Sequence, residues 1–224
     1  MFVQRDCKLV EINPLVLTKD GDFRAANPSV IIDDNSLYRQ SEMQQFADNS
    51  QVNILERIAS LNDLNYEKIN GEEGNIGLIT NGYGLALATT DLLDQMHGKA
   101  ANYLDLNGGS SIEDVLQALD LMEYDKRVKV VLINLFGGAL DIKPIAEGIV
   151  KGLSLKVISK PLVIRVRGNF EDEVQELLKE FQSENGQGSN QFNLFKDFDL
   201  AVFEAVKVAA EAELGKLMMI QEKL

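Results

Sequence analysis

The sequence predicts an α/β protein whose main domain is a doubly wound parallel sheet, preceded by a short region of strands and turns. From residue 75 onward, continuous apolar runs alternate with amphipathic segments, five times in succession. Such runs are typical of a parallel sheet that helices cover on both faces. The 224 residues, 45% hydrophobic and 25% charged, suit one large globular domain or a medium domain with a smaller piece.

The first region, residues 1–40, has the pattern of a β-hairpin. Two apolar runs flank Asn13-Pro14, and a further turn is predicted at residues 19–22. Side chains two apart in a strand share a face, so Glu11 and Asn13 project to the same side. A carboxylate beside a carboxamide can help to hold a metal ion. A two-stranded hairpin is marginal alone, and we expect something to cover it.

The remaining elements follow in order along the chain. Residues 41–74 are polar, contain one helix-like segment and are interpreted as a connector. Beyond them, five strand–helix units indicate a sheet of the flavodoxin-like type. The strands are predicted at 76–80, 101–106, 128–136, 162–166 and 192–195, and the helices at 84–97, 112–123, 144–153, 171–181 and 199–218.

Three of the predicted strand ends carry glycine and run into a helix: residues 80–86 (TNGYGLA), 106–111 (LNGGSS) and 134–144 (NLFGGALDIKP). In open α/β sheets, ligands bind beyond the carboxyl ends of the strands. Glycine allows close approach, and a helix N-terminus offers free N–H groups to an anion. Glycine at such turns is also common for backbone reasons alone. Ser110 with Glu113 gives the S-x-x-E pattern of a capping box, which explains the second loop without a ligand.

Charge and composition exclude several functions. The formal net charge is −13 and no basic stripe occurs, which predicts no nucleic-acid partner. No apolar run approaches the ~20 residues of a transmembrane helix. Cys7 is the single cysteine, so no internal disulfide is possible. The single histidine, His97, has the pattern of a helix C-terminus with Gly98 as its left-handed cap, rather than that of a catalytic base.

Five motifs together resemble the succinyl-CoA ligase β-subunit family: VEINPLV, NSLYRQ, NGYGLA, NYLDLNGG and INLFGGALDIKPIAEGI, in the family's order and close to its spacing. The resemblance implies an ATP-grasp domain followed by a flavodoxin-like CoA-ligase domain. It implies an α-type partner, which holds CoA and a phosphohistidine, and a reaction that joins succinate and CoA at the expense of ATP or GTP with Mg²⁺. It also implies a mitochondrial matrix location, or a cytoplasmic one in a prokaryote.

The resemblance assigns expected domains and roles to this chain. Residues 1–40 would be an ATP-grasp remnant, most of that domain being missing, and residues 75–224 the CoA-ligase domain. Glu11 would be catalytic and face the phosphohistidine. Asn13 would bind Mg²⁺, with Asn27 at a second, degenerate metal position. The substrate- and phosphate-binding residues would be Asn81, Gly82, Gly137, Gly138, Ala139 and Leu140.

Departures from the family pattern leave two functions open. Ser29 replaces a lysine, Asn107 a glycine and Arg167 an acidic or amide residue, while Tyr83 replaces a small residue and is expected to fill the pocket. Asp141 would compete with phosphate for a helix N-terminus. The chain would be either a working β-type subunit beside an α-type partner or a catalytically degenerate accessory subunit of a larger mitochondrial assembly. In both cases we expect this chain not to bind metal and nucleotide measurably.

Overall fold

The computed structural model describes residues 1–46, 53–106, 109–138, 141–184 and 192–221, in two compact units, Met1–Val52 and Asn53–Leu224. Three residues singled out from the sequence, Asn107, Ala139 and Leu140, lie outside the described residues.

Unit 1 is an antiparallel hairpin followed by two 3-10 helices. Each arm of the hairpin consists of two short strands in succession. Its four strands are β1 (Cys7–Ile12), β2 (Leu15–Leu17), β3 (Phe23–Ala25) and β4 (Pro28–Ile32); β1 pairs with β4, and β2 with β3. The hairpin is confirmed, but the chain reverses only at residues 18–22, where the Thr18 N–H donates to the Asp22 carbonyl at 2.8 Å. A turn at Asn13-Pro14 is therefore wrong: these residues interrupt the strand without reversing it.

The NSLYRQ motif has a structural role in unit 1. The motif, residues 35–40, begins within the 3-10 helix Asp34–Ser36 and ends just before the 3-10 helix Ser41–Phe46. The Arg39 guanidinium donates to both carboxylate oxygens of Asp6, at 2.8 and 3.0 Å, and Gln40 Nε2 donates to Asp6 Oδ2 at 2.8 Å. The hydrogen bond from Arg39, and then that from Gln40, lower the pKa of Asp6. The motif thus joins the start of β1 to the segment after β4.

Unit 2 is a six-stranded sheet covered by helices on both faces. Its strands lie in the order β10-β9-β8-β6-β7-β5, all parallel except β5. Along the chain, the elements are α1 (Ile54–Leu61), β5 (Asn65–Lys68), β6 (Ile76–Thr80), α2 (Tyr83–Gln95), β7 (Ala100–Asp105), α3 (Ile112–Tyr124), β8 (Val130–Gly137), α4 (Lys143–Ser154), β9 (Leu162–Gly168), α5 (Glu171–Glu184), β10 (Phe192–Phe195) and α6 (Phe198–Gln221). The predicted doubly wound parallel sheet is confirmed.

Strand β5 is the element that the sequence did not predict. It lies within residues 41–74, the range interpreted as a connector, and pairs antiparallel with β7 at the sheet edge. Only Tyr66 of its four residues is buried, which is too weak a pattern to indicate a strand. The Glu56 carboxylate accepts the Lys68 N–H at 3.0 Å, which protects this edge from pairing with another chain.

The hydrophobic core lies in two layers. One layer packs the sheet against α3, α4 and α5, and the other packs it against α2 and α6. The first six residues of β8 are buried, so this strand separates the layers. A central strand buried on both faces explains why its sequence is apolar almost throughout.

Two predicted helix caps are displaced by one residue. The capping box of α3 is formed by Ser111 and Asp114, not by Ser110 and Glu113: the Ser111 hydroxyl accepts the Asp114 N–H at 3.2 Å, and the Asp114 carboxylate accepts the Ser111 N–H at 2.7 Å. After α2, His97 itself is left-handed, with φ of 61°.

The expectation that Gly98 takes that conformation is wrong. Gly98 instead lies in a tightly packed position: a Cβ on it would lie 2.5 Å from Val206 Cγ2, so that the Val206 side chain would have to move.

A buried polar network joins β5, β7 and the loop before β8. The Asp125 carboxylate accepts from Arg127 Nη2 at 2.7 Å, from Asn102 Nδ2 at 2.9 Å and from the Tyr66 hydroxyl at 3.1 Å. Asp125 and Asn102 are 4% and 0% exposed. Nearby, the Lys160 ammonium donates to three carbonyls at the end of α3. These contacts fix the amino-terminal side of the sheet.

Candidate functional site

The loops predicted to form a binding edge meet at the carboxyl ends of β6 and β8. These strands are neighbours in the sheet, and Thr80 lies opposite Asn134. The strand order reverses here, because the chain passes from β6 outward to β7 and then returns to β8 on the other side. A crevice at such a reversal is the usual ligand position in open α/β sheets. The structure thus brings residues 81–82 and 137–138 together.

The Asn81 side chain bridges the carboxyl ends of β6 and β8, at the candidate crevice. Its Nδ2 donates to the Phe136 carbonyl at 2.9 Å, and its Oδ1 accepts the Phe136 N–H at 2.8 Å. The carboxamide thus takes the place of a backbone peptide and extends the hydrogen bonding between β6 and β8 by one residue. One amide hydrogen is left over for a ligand, and the position of Asn81 is fixed by the fold.

Gly82 and Tyr83 lie at the start of α2. Gly82 is the N-cap, and its φ of 147° favours glycine. The Tyr83 ring packs edge-to-face on Tyr103 of β7, with 5.9 Å between ring centroids. Since β7 lies on the far side of β6 from β8, the expectation that Tyr83 fills the pocket between the loops is wrong.

Gly137 and Gly138 have different structural roles. A Cβ on Gly137 would lie 2.1 Å from the Asn169 carbonyl oxygen, and the Asn169 N–H donates to the Gly137 carbonyl at 2.7 Å. Gly137 is therefore required for the close approach of the β8 and β9 ends. A Cβ on Gly138 meets nothing within 4 Å, so packing does not require glycine there.

The N-terminus of α4 already holds a carboxylate. Asp141 Oδ1 accepts the Lys143 N–H at 2.9 Å, and Ile142, the N-cap residue, offers no side-chain cap. The Lys143 ammonium lies 4.7 Å from the centroid of the Phe170 ring. Because the Asp141 charge sits where an anion would meet the helix dipole, it weakens this end of α4 as a phosphate site.

Three cationic side chains near the carboxyl ends of β9 and β10, Arg165, Arg167 and Lys196, already have partners within the fold. Arg167 and Lys196 both contact the Glu171 carboxylate, at 3.3 and 2.9 Å. The hydrogen bond from Lys196 is the main cause of the lowered pKa of Glu171. Arg165 donates to Asn134 Oδ1 at 3.0 Å, and burial lowers the pKa of its guanidinium. Arg167, a departure from the family pattern, thus pairs within the fold.

In unit 1, the candidate metal and catalytic residues occupy neighbouring rungs of the β1–β4 ribbon. Glu11 lies opposite Ser29, and the Asn13 N–H donates to the Asn27 carbonyl at 3.3 Å. All four residues are exposed. Together they offer one carboxylate and two carboxamides, and no cluster of three or more His, Cys, Asp or Glu that could hold a metal occurs in the described residues. These residues do not by themselves make a metal–nucleotide site.

One further cavity was missed by sequence reasoning because it depends on β5. It lies beside the β5–β7 edge, and its volume is about 740 Å³. Carboxylates and tyrosines dominate its lining: Glu56, Asn65, Tyr66, Glu67, Tyr83, Tyr103 and Asp105. The only sequence signal was the alternation of exposed and buried residues in NYEK, which is too short to interpret alone.

Within the described part of the chain, no helix has both the length and the apolar character that crossing a membrane requires.

Comparison with known proteins gives consistent matches. Residues 79–191 match the CoA-ligase family. The chain is 38% identical, over 94% of its length, to the succinate–CoA ligase [ADP-forming] subunit beta 2 of Archaeoglobus fulgidus, of which it covers 53%. It is 41% identical, over 80% of its length, to the corresponding beta subunit of Hydrogenobaculum sp., of which it covers 46%. The chain thus spans about half the length of these curated relatives.

A solved structure also resembles this chain. It is the dinucleotide forming acetyl-coenzyme A synthetase 1 of Ca. Korarchaeum cryptofilum, 16% identical, with a TM-score of 0.48. The match covers 65% of this chain and 35% of that one.

Proposed function

The chain belongs to the CoA-ligase family, and from that premise we propose that it acts as the β-type component of a succinate–CoA ligase. In this reaction succinate, CoA and a nucleoside triphosphate are interconverted with succinyl-CoA, nucleoside diphosphate and phosphate. One observation carries the proposal: curated relatives of 37–41% identity are named as β subunits of this enzyme, and they match 75–94% of the chain.

The proposed reaction divides the work between this chain and an α-type partner. The partner supplies CoA binding and the histidine that carries the phosphoryl group. In unit 1, Glu11 is exposed, and in this proposal its carboxylate would accept an imidazole N–H and so fix the tautomer of that histidine. In unit 2, the open backbone at Gly138 and the start of α4 are the elements proposed to meet the phosphoryl group.

Metal and nucleotide are not assigned to the residues described here. Glu11, Asn13 and Asn27 supply a single carboxylate, and Ser29 stands where the family has a lysine. Mg²⁺ in such enzymes is held by one or two carboxylates together with the phosphates of the substrate. We therefore propose no step through a metal bound by this chain, and nucleotide would be held by polypeptide other than the residues described.

A second function is favoured by a specific observation in the crevice. Two hydrogen bonds tie the Asn81 carboxamide to the Phe136 peptide, and the Asp141 carboxylate caps α4, where a phosphate would otherwise bind. Both contacts stabilise the fold, and the second opposes anion binding. They suit a catalytically degenerate accessory subunit in a larger assembly, which by family resemblance would face the mitochondrial matrix.

Glu11→Gln distinguishes the two functions. If the chain is a working β-type subunit, the substitution should slow phosphorylation of the partner's histidine by about 10²-fold or more, because an amide does not orient a reacting imidazole as a carboxylate does. The fold should persist because Glu11 is exposed. The measurement is histidine phosphorylation in the complex purified with its α-type partner. Asp20→Asn, an exposed acidic residue in the 18–22 turn, is the matched control.

Equal rates for the Glu11→Gln variant and the native chain would remove the catalytic role and leave the accessory one. If the native chain supports no histidine phosphorylation in the complex with its co-purified partner, the accessory function is likewise the one that remains.

Asp141→Asn tests whether the carboxylate blocks the start of α4. Asparagine retains an oxygen that can accept the Lys143 N–H, but it removes the negative charge. We expect phosphate to bind about 3- to 5-fold more tightly, as the helix-dipole energy suggests, with little change in unfolding. Phosphate titration followed by NMR at α4 measures this, and Asp172→Asn, at the exposed start of α5, is the control. No gain in affinity would mean that the charge of Asp141 does not limit this site.

A further inference from the structure

The cavity beside β5 has one wall of aromatic rings. Tyr83 and Tyr103 pack at an interplanar angle of 63°, and Tyr83 remains 55% exposed. Tyr103 belongs to β7 and Tyr83 to the first turn of α2, so the pair is held by two regular elements. The faces of such rings carry partial negative charge and attract cations. The wall therefore suits a positively charged ligand that is also partly apolar.

Two carboxylates of the same cavity, Glu67 and Glu56, accept hydrogen bonds from neutral donors only. Glu67 Oε2 accepts from the Tyr103 hydroxyl at 2.9 Å, and Glu56 Oε1 accepts the backbone N–H of Lys68 at 3.0 Å. Both donors are neutral, and in the described chain neither carboxylate forms an ion pair. The Lys68 ammonium turns instead to Glu72, at 2.8 Å. The lining contains Asp105 as a third carboxylate and no lysine or arginine.

The ionisation of Tyr103 agrees with this charge distribution. Burial, followed by the hydrogen bond to Glu67 and the charge of that carboxylate, raises the pKa of Tyr103 to about 12. The phenol therefore stays neutral at physiological pH and donates its proton to Glu67. This bond fixes the Glu67 carboxylate beside the aromatic wall.

We propose that this cavity binds an organic cation through a guanidinium head, which would stack on the Tyr83–Tyr103 wall and pair with Glu67. A guanidinium suits the site better than an ammonium because it is planar, weakly hydrated and able to stack while it donates to a carboxylate. A volume of about 740 Å³ accommodates the head and an attached body. The site lies on the β7 side of the sheet, apart from the β6–β8 crevice, and does not depend on the proposed function.

The test is an NMR titration of the full chain with propylguanidinium, with the uncharged propylurea as the matched control ligand. The protein has five tyrosines and no tryptophan, so the ring signals of Tyr83 and Tyr103 can be assigned and followed. We expect propylguanidinium to shift these signals with a dissociation constant of about 1 mM, and propylurea to leave them unchanged at the same concentrations. Equal shifts with both ligands would overturn the proposal.

Two variants locate the binding. Glu67→Gln should weaken binding of propylguanidinium about 5- to 10-fold by removing the paired charge, and Tyr83→Ala about 3-fold by removing an exposed part of the wall. Glu211→Gln, an exposed carboxylate on α6, should bind as the native chain does. If Glu67→Gln and Glu211→Gln weaken binding equally, the cation is held only by the general negative charge of the protein, and the proposed site is wrong.

A capped Gly-Arg-Gly peptide, tested beside propylguanidinium, identifies the source of the cation. Tighter binding of the peptide supports an arginine side chain of a partner protein. Equal affinity supports a free small cation.

Discussion

Asp125→Ala is expected to lower the free energy of unfolding of unit 2 by about 3–5 kcal/mol, the range for removal of one partner from a buried ion pair. The carboxylate is 4% exposed and accepts hydrogen bonds from Arg127, Asn102 and Tyr66. Without it, a largely buried guanidinium and two buried donors lose their acceptor together. A buried group left without a partner costs far more than its bond contributes when made.

The pH dependence of stability gives this prediction a second measurement. Burial opposes ionisation of Asp125, but the hydrogen bonds from Arg127 and Asn102 outweigh it and lower the pKa of the carboxyl. A lowered pKa in the folded state means that the stabilisation is present above the unfolded value of about 3.9 and is lost as the pH falls below it. The Asp125→Ala variant should therefore lose less stability between neutral and acidic pH than the native chain does.

Chemical denaturation followed by circular dichroism measures both effects, with Glu72→Gln as the control. Glu72 pairs with Lys68, but its side chain is 82% exposed, and such pairs contribute at most about 1 kcal/mol. If Asp125→Ala lies within 1 kcal/mol of Glu72→Gln, the network does not anchor the amino-terminal side of the sheet.

The elements that the sequence predicts best are those whose burial dominates their composition. Strand β8 is buried on both faces over most of its length and is recognised as one apolar run. Strand β5 is stabilised by its neighbours: Tyr66 reaches Asp125, and the Lys68 N–H is bound by Glu56. Neither contact leaves a local pattern. Because β5 was not predicted from the sequence, the cavity beside it could not be predicted either.

The position of the candidate crevice could be predicted, but the roles of its side chains could not. Topology alone places the glycine loops at the carboxyl ends of neighbouring strands. The bond between Asn81 and Phe136 joins residues 55 positions apart, and the ring of Tyr83 packs on Tyr103 rather than in the crevice. Each depends on which side of a strand the following helix takes, and motif spacing does not contain that information.

Adjacent glycines in the third loop show the same limit. Gly137 and Gly138 are equivalent in the motif, yet only Gly137 faces a backbone carbonyl at a distance that excludes a side chain. Packing therefore requires glycine at residue 137 and not at residue 138, and alanine substitution at each position measures this difference.

Gly137→Ala is expected to destabilise unit 2 by about 3 kcal/mol. A Cβ at this position would lie 2.1 Å from the Asn169 carbonyl oxygen, and the reciprocal contact, from a Cβ on Gly168 to the Gly137 carbonyl oxygen, is 2.2 Å. Relief of the overlap requires the ends of β8 and β9 to separate, which also stretches the 2.7 Å bond from the Asn169 N–H to Gly137. Overpacking of this kind costs about 1–3 kcal/mol, and a lost hydrogen bond adds about 1.

Gly138→Ala is the matched control and, because nothing lies within 4 Å of its Cβ, it should change the stability by no more than about 0.5 kcal/mol. Its methyl group would enter open space. If the chain is a working β-type subunit, Gly138→Ala should slow phosphoryl transfer in the complex while the fold is unchanged; in an accessory subunit it should change neither. Urea unfolding and the phosphorylation assay, run on both variants, separate these outcomes. A Gly137→Ala variant as stable as the native chain would mean that the two strand ends are not fixed by this close approach.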